Sequence, residues 1–239
     1  MRRIGRWLLW TLATLVVASI ASVALLRFVD PPTSSFMLVD RVRGWLGDED
    51  YRFRHAWVDW DAISPNAAVA VVASEDQKFA VHLGFDLEAI DKAVRAAQRG
   101  RRMRGASTIS QQVAKNLFLW PGQSFVRKGI EAWFTLWIEL LWPKQRILEI
   151  YLNIAEFGPG VWGVGAASDR FFHKPAARLT RPEAALLAAV LPNPRRFHVE
   201  APSRYVQRRQ RWILRQMSAI GGRSYLVAVE DSTHGPGAP

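Results

Sequence analysis

From Trp7 to Leu26 the chain runs WLLWTLATLVVASIASVALL, apolar or weakly polar at every position and without a charge. A helix of that run rises about 30 Å, enough to cross a bilayer core. Arg2, Arg3 and Arg6 precede it and only Arg27 follows at once, so the positive-inside rule places the N-terminus in the cytoplasm and the remainder outside it. A cleaved signal peptide is the alternative, but its apolar core is shorter, about 7–15 residues, and ends at an A-x-A-like site. Leu25-Leu26-Arg27-Phe28 is a poor cleavage site. A core helix fits less well, because this run is apolar all round and terminal. The pattern therefore predicts a cytoplasmic segment 1–6, an uncleaved transmembrane anchor 7–26 and a linker 27–35 containing Asp30-Pro31-Pro32.

Beyond the linker the periodicity is helical. Residues 36–60 read as irregular and aromatic, with Phe36, Trp45, Tyr51, Phe53, Trp57 and Trp60. Ser64-Pro65 is an N-cap followed by proline at the first helical position; Val69, Val72, Asp76 and Phe79 then fall near one face. Asp86 caps a helix to about Arg99, Ser107 one to about Leu119, and Ser124 one to about Trp142. Pro143 opens a helix through Ile154. Thr180-x-x-Glu183 is a capping box, and Pro202-Ser203 leads a basic helix to about Ile220. Period-2 alternation is scarce, and only Tyr225 to Val229 hints at a strand. The expectation is a mainly α domain over 36–221, then a tail over 222–239 that is partly disordered, being rich in Gly and Pro from Ser232.

Composition adds a partner class. Across 239 residues, 32 lysines and arginines face 21 acids, for a net charge of +11. A surplus of that size points to an anionic partner: nucleic acid, lipid headgroups or a phosphorylated substrate. With no cysteine there is neither a disulfide nor a thiolate metal site.

Against this basic background, VVASEDQKFAVHLGFD (Val71–Asp86) ends an apolar run at two adjacent acids, Glu75 and Asp76. They either anchor a turn or supply a base held in a cleft. In GASTISQQVAKNLFLW (Gly105–Trp120), Thr108, Gln111, Gln112 and Lys115 share one stripe and Ile109, Val113 and Leu117 another. A solvated helix face is the commoner reading of such a stripe, although two glutamines and a Ser/Thr pair are odd choices for plain surface. Ser107 sits at a helix start, where free N–H groups attract anions. Arg99, Arg101, Arg102 and Arg104 crowd the loop just before it. In SFVRKGIEAWF, Arg127 and Lys128 stand four and three residues before Glu131, the spacing of ordinary helix ion pairs and equally of a cation cluster oriented by an acid.

Taken in order, E-D-x-x-F-x-x-H-x-G (Glu75–Gly84), G-x-S-T-I-x-Q-Q-x-x-K-N (Gly105–Asn116), R-K-x-x-E (Arg127–Glu131), ILEIYLNIAEFGPGVWGVGAAS and RPEAALLAAVLPNP resemble the peptidoglycan glycosyltransferase family, specifically its monofunctional biosynthetic members. The resemblance covers roughly residues 36–221. No serine is followed three positions later by lysine, so the S-x-x-K signature of the transpeptidase domain in related penicillin-binding proteins is missing.

The resemblance implies a lysozyme-like α fold and a reaction. The 4-hydroxyl of an incoming lipid II attacks C1 of the growing glycan, polyprenyl diphosphate leaves, and the configuration inverts. It assigns Glu75 as catalytic base and Glu131 as the second acid, orienting the pyrophosphate or helping to hold a divalent cation (Mg2+ or Mn2+) that the sequence does not require. Ser107, Thr108, Gln111, Gln112, Lys115, Asn116, Arg127 and Lys128 become substrate-binding. Asp76 and His82 become turn-shaping, and Asn153, Gly158 and Gly163 fold-supporting. One departure stands out: Gln123 occupies a position where many members carry arginine. The implied partners are lipid II, the glycan strand, membrane lipids and other cell-wall synthesis proteins, with no nucleic acid. The implied location is the inner membrane, with the catalytic domain in the periplasm. A lytic enzyme of the same fold and a non-catalytic membrane scaffold are the competing readings. The first leaves the Gln/Lys stripe and the Arg-Lys-Glu motif without a task; the second rests on Gln123 alone.

Overall fold

A computed structural model describes residues 2–47, 51–99 and 107–231. The fold is mainly α, as expected. Helix α1 (Arg2–Leu26) is exposed along nearly all its length, a solitary apolar rod compatible with a single-pass membrane anchor. Its last turns meet the domain. The Trp133 indole N–H donates to Ser19 Oγ at 3.1 Å and the Trp142 indole N–H to the Val23 carbonyl at 2.7 Å. Arg146 donates to the carbonyls of Leu26 and Val29, and pairs with Asp30 and Glu149.

Residues 36–60 are not irregular throughout, because α2 occupies Ser35–Gly47. Helix α3 (Pro65–Glu75) starts where Ser64-Pro65 predicts, with the Ser64 hydroxyl accepting from the Asn66 N–H. Every residue from Ala67 to Ala73 is buried, and the small alanines let α9 (Arg181–Val190) and α10 (Arg204–Ala219) pack closely against it. Asp86 accepts from the Ala89 N–H at 2.9 Å at the head of α4 (Leu87–Gln98). Helix α5 (Ile109–Phe118) lies between α6 (Phe125–Leu141) and α7 (Lys144–Ile154). Its cap is Thr108 rather than Ser107, because Thr108 and Gln111 together form a capping box. The box at Thr180 and Glu183 also forms, at the start of α9.

Three short strands form a small sheet. Strand β3 (Val161–Trp162) pairs in parallel with β1 (Arg54–His55) and antiparallel with β2 (Glu156–Gly158), the latter through a bulge. Asn153, at the end of α7, braces this corner: its amide donates to the Val58 carbonyl and its side-chain oxygen accepts from the Val58 N–H, both at 2.8 Å. Gly163 then leads into α8 (Val164–Phe172) with φ +82°, and a Cβ there would lie 2.6 Å from the Asn153 carbonyl oxygen. Gly163→Ala therefore combines a left-handed backbone with a backbone clash, and should lower stability by about 1–3 kcal/mol or more. Thermal melting checks this; an unchanged midpoint would show that the corner yields freely.

Tyr225 to Val229 is not a strand but part of α11 (Ser224–Asp231), which packs on α3 and α7. Residues Ser232 to Pro239, expected to be disordered, lie outside the described residues, as does most of the Arg99–Arg104 loop.

Candidate active site

Helix α3 ends at Glu75, so its carboxylate emerges from the floor of the core. The next residue, Asp76, is buried and belongs to the turn. It accepts from the Ile109 N–H at 3.0 Å and from His82 Nε2 at 2.9 Å, while His82 Nδ1 accepts from the Gly84 N–H. Beneath them Lys144 is buried, donating to the His82 carbonyl and pairing with Glu139. Asp76 and His82 thus shape the segment that presents Glu75.

Glu75 itself is held from two sides. Gln112 Nε2 on α5 donates to Oε2 at 3.2 Å, and Arg209 Nη2 on α10 donates to Oε1 at 3.2 Å. The Tyr151 hydroxyl on α7 donates to the Gln112 side-chain oxygen at 3.3 Å, fixing that amide in turn. Burial pushes the Glu75 carboxyl above the ordinary value, and the bonds from Gln112 and Arg209 pull the other way. A carboxylate with raised basicity that is kept oriented is suited to accept a proton.

Two depressions lie near this group, one lined by Glu75 and the other by its partner Gln112. One is lined by Glu75 with Gln77, Lys78, Asp86, Ser107 and Thr108. The other is lined by Gln112 with Phe36, Lys115, Asn116, Tyr151, Glu156 and Trp162. Glu156 is also pushed up, to about 7, chiefly by burial and against the pull of Arg195 at 3.0 Å. Lys115 is half-buried, with Phe36 beneath its ammonium at 5.5 Å. Burial lowers its pKa, the charge of Glu131 opposes that, and Arg127 and Lys128 add to the lowering.

Glu131 completes the cation cluster. It is buried, accepts from Arg127 Nη1 at 3.3 Å, and pairs with Lys128 through its other oxygen. Arg127 Nε is buried with no partner, so one donor of that guanidinium is uncommitted. Such a set suits an anion. It does not suit a divalent cation, which would face two committed oxygens and three positive side chains. Among the described residues no three His, Asp or Glu side chains gather as a metal would need.

Of the sequence-predicted residues, then, Glu75 and Gln112 are brought into contact, Lys115, Arg127, Lys128 and Glu131 lie within electrostatic reach of one another, and Asn116 lines the same depression as Lys115. Thr108 and Gln111 are instead committed to starting α5: each is buried, Thr108 Oγ1 donates to the Gly84 carbonyl, and Gln111 Oε1 accepts from the Thr108 N–H. Ser107 is exposed at the edge of the Glu75 depression. Gln123 is exposed just before α6. Arg209 and Tyr151 were not singled out from the sequence, although Tyr151 stands inside a quoted motif.

The chain matches the family model described as "Transglycosylase" over residues 43–218. It is 54% identical to a "Biosynthetic peptidoglycan transglycosylase" of Xanthomonas axonopodis pv. citri over 231 residues, covering 95% of this chain and 94% of that one. It is 53% identical to the protein of the same description from Xylella fastidiosa over 222 residues, covering 92% and 91%. It is 49% identical to that of Pseudomonas fluorescens over 237 residues, covering 99% and 97%. By the extent of the family match and the identity and coverage of these relatives, the chain belongs to the transglycosylase family.

Proposed function

We propose that this protein polymerises lipid II into glycan strands, with Glu75 as the base and the Lys115–Arg127–Lys128 cluster receiving the leaving pyrophosphate. The observation that carries the reading is the pairing itself: an oriented, half-buried carboxylate lining one depression and bonded to Gln112, which lines the other, with a cation cluster around Lys115 there. A sugar hydroxyl is a weak nucleophile, so the 4-hydroxyl of one lipid II loses its proton to Glu75 as its oxygen bonds to C1 of the strand. The C1–O bond to pyrophosphate breaks, and the electron pair leaves with the diphosphate. That group departs as an anion and needs positive charge more than a proton, which Lys115, Arg127 and Lys128 supply. Glu131 keeps the last two in place. A single displacement from the opposite face inverts C1.

The alternative of glycan cleavage gains nothing from a cation cluster, because a sugar leaving group carries no phosphate. Helix α1 supports a single-pass anchor; the arginines before it favour a cytoplasmic N-terminus, and with it we place the domain in the periplasm at the inner membrane. Helix α6, on which α1 packs, also leaves Phe125, Val126, Leu136 and Leu140 exposed, apolar surface suited to lipid chains.

Incubating the full-length protein in detergent with labelled lipid II tests the reading. Long glycan products are expected; untouched substrate would favour a scaffold, and shortening of added glycan a lytic enzyme. The pH profile should follow the two shifted groups. Glu75 acts only when deprotonated, so the acid limb of kcat/KM should lie above the ordinary carboxylate value of about 4.3. Lys115 acts only when charged, so the alkaline limb should begin below the ordinary lysine value of about 10.4. An acid limb at or below the ordinary value would remove Glu75 from the role of base.

A further inference from the structure

We propose that Arg209 is a positioning residue for the Glu75 carboxylate, holding it ionised and aimed into the depression that Glu75 lines; this rests on Glu75 being the base. Helix α10 carries five arginines, and Arg204, Arg208, Arg211 and Arg215 are exposed as expected of a basic surface helix. Arg209 turns inward instead. Its side chain is 20% exposed, beside a Glu75 side chain that is 15% exposed, with Nη2 at 3.2 Å from Oε1. Its Nε is buried and makes no hydrogen bond to another protein atom. The Trp212 ring, 5.9 Å from the guanidinium carbon, flanks it.

The geometry separates this role from substrate binding. Arg209 lines neither depression, so it acts through Glu75. Its partner across the carboxylate is Gln112, which fixes Oε2 but carries no charge. Two helices, α5 and α10, thus hold one oxygen each, and Ser74 Oγ adds a long contact at 3.4 Å to Oε1. The other titratable groups that face Glu75 are Asp76 beside it in the chain, Lys115 on α5 and Tyr151 on α7. Of the two cations, Lys115 has its own task at the leaving group. Arg209 is the one in contact, and a guanidinium stays charged across the whole working pH range. A single end-on contact leaves carboxylate lone pairs free for the incoming hydroxyl.

The test uses full-length protein and labelled lipid II. In Arg209→Gln the acid limb of kcat/KM should move up by about one pH unit, and the rate near neutrality should fall about ten-fold with KM little changed. Arg209→Lys should be intermediate in both, because the charge remains but the reach and planarity do not. Should Arg209→Gln not fold, Arg209→Lys alone decides. Wild-type kcat with an unmoved acid limb, in whichever variant folds, overturns the proposal. If that happens while Glu75→Gln is inactive, only the role of Arg209 is lost; if Glu75→Gln is active, the base assignment is lost as well.

Discussion

Glu75→Gln should reduce lipid II polymerisation by a factor of roughly 10² to 10⁴, the usual contribution of a positioned general base, while leaving the fold at least as stable. The amide is nearly isosteric with the carboxylate and keeps a side-chain oxygen for Gln112 or Arg209, but it has no lone pair basic enough to accept the hydroxyl proton. The stability half follows from the direction of the shift. Because burial raises the folded-state pKa of Glu75 above its unfolded value, the folded chain binds more protons around that pH. Wild-type stability therefore declines as pH rises through this ionisation, and the ionised group is a net cost to folding at neutral pH. A neutral glutamine relieves that cost. The expected result is thus an inactive protein whose melting midpoint is equal to or above that of the wild type. A purified Glu75→Gln variant polymerising at the wild-type rate would sink the assignment.

Lys115→Met is the second large effect, with kcat expected to fall about 10² to 10³-fold, comparable to the loss of one preorganised donor at a site of developing charge. Methionine keeps the unbranched stem that packs over Phe36 and removes only the ammonium. Burial depresses the Lys115 pKa, so at neutral pH its charge too is held against the preference of the fold, and stability should not suffer. Single-turnover polymerisation of labelled lipid II measures the chemical step directly. An unchanged rate would move the leaving-group task to Arg127 and Lys128 alone.

Much of this was legible in local sequence, where local chemistry decided the outcome. Ser64-Pro65, Ser124, and Thr180 with Glu183 each carry their own start signal, and each starts a helix. Ser107 misled by one position because two hydroxyls stand side by side, and only Thr108 has Gln111 three residues on to close the box. The run at Tyr225–Val229 is too short for its period to separate strand from helix, and packing on α3 and α7 made it helical. Helix α2 escaped notice because its pattern is interrupted at Gly44, a position now explained by the Tyr51 ring that occupies the space of a Cβ. The strands span two or three residues each, too few to show alternation. At the site, Glu75 and the Arg-Lys-Glu cluster were visible as motifs. The Arg209 contact was not, since it joins α3 to a helix more than a hundred positions away and no spacing rule reaches that far.

The knot around Arg146 has a mechanical side. Its guanidinium ties the end of α1 and the turn after it to α7, the helix that also carries Tyr151. The tether between anchor and cleft therefore has no slack. A domain leashed this short has little freedom to swing or swivel relative to α1. Whatever enters or leaves the site beside Glu75 therefore does so past a domain held at a fixed angle to α1.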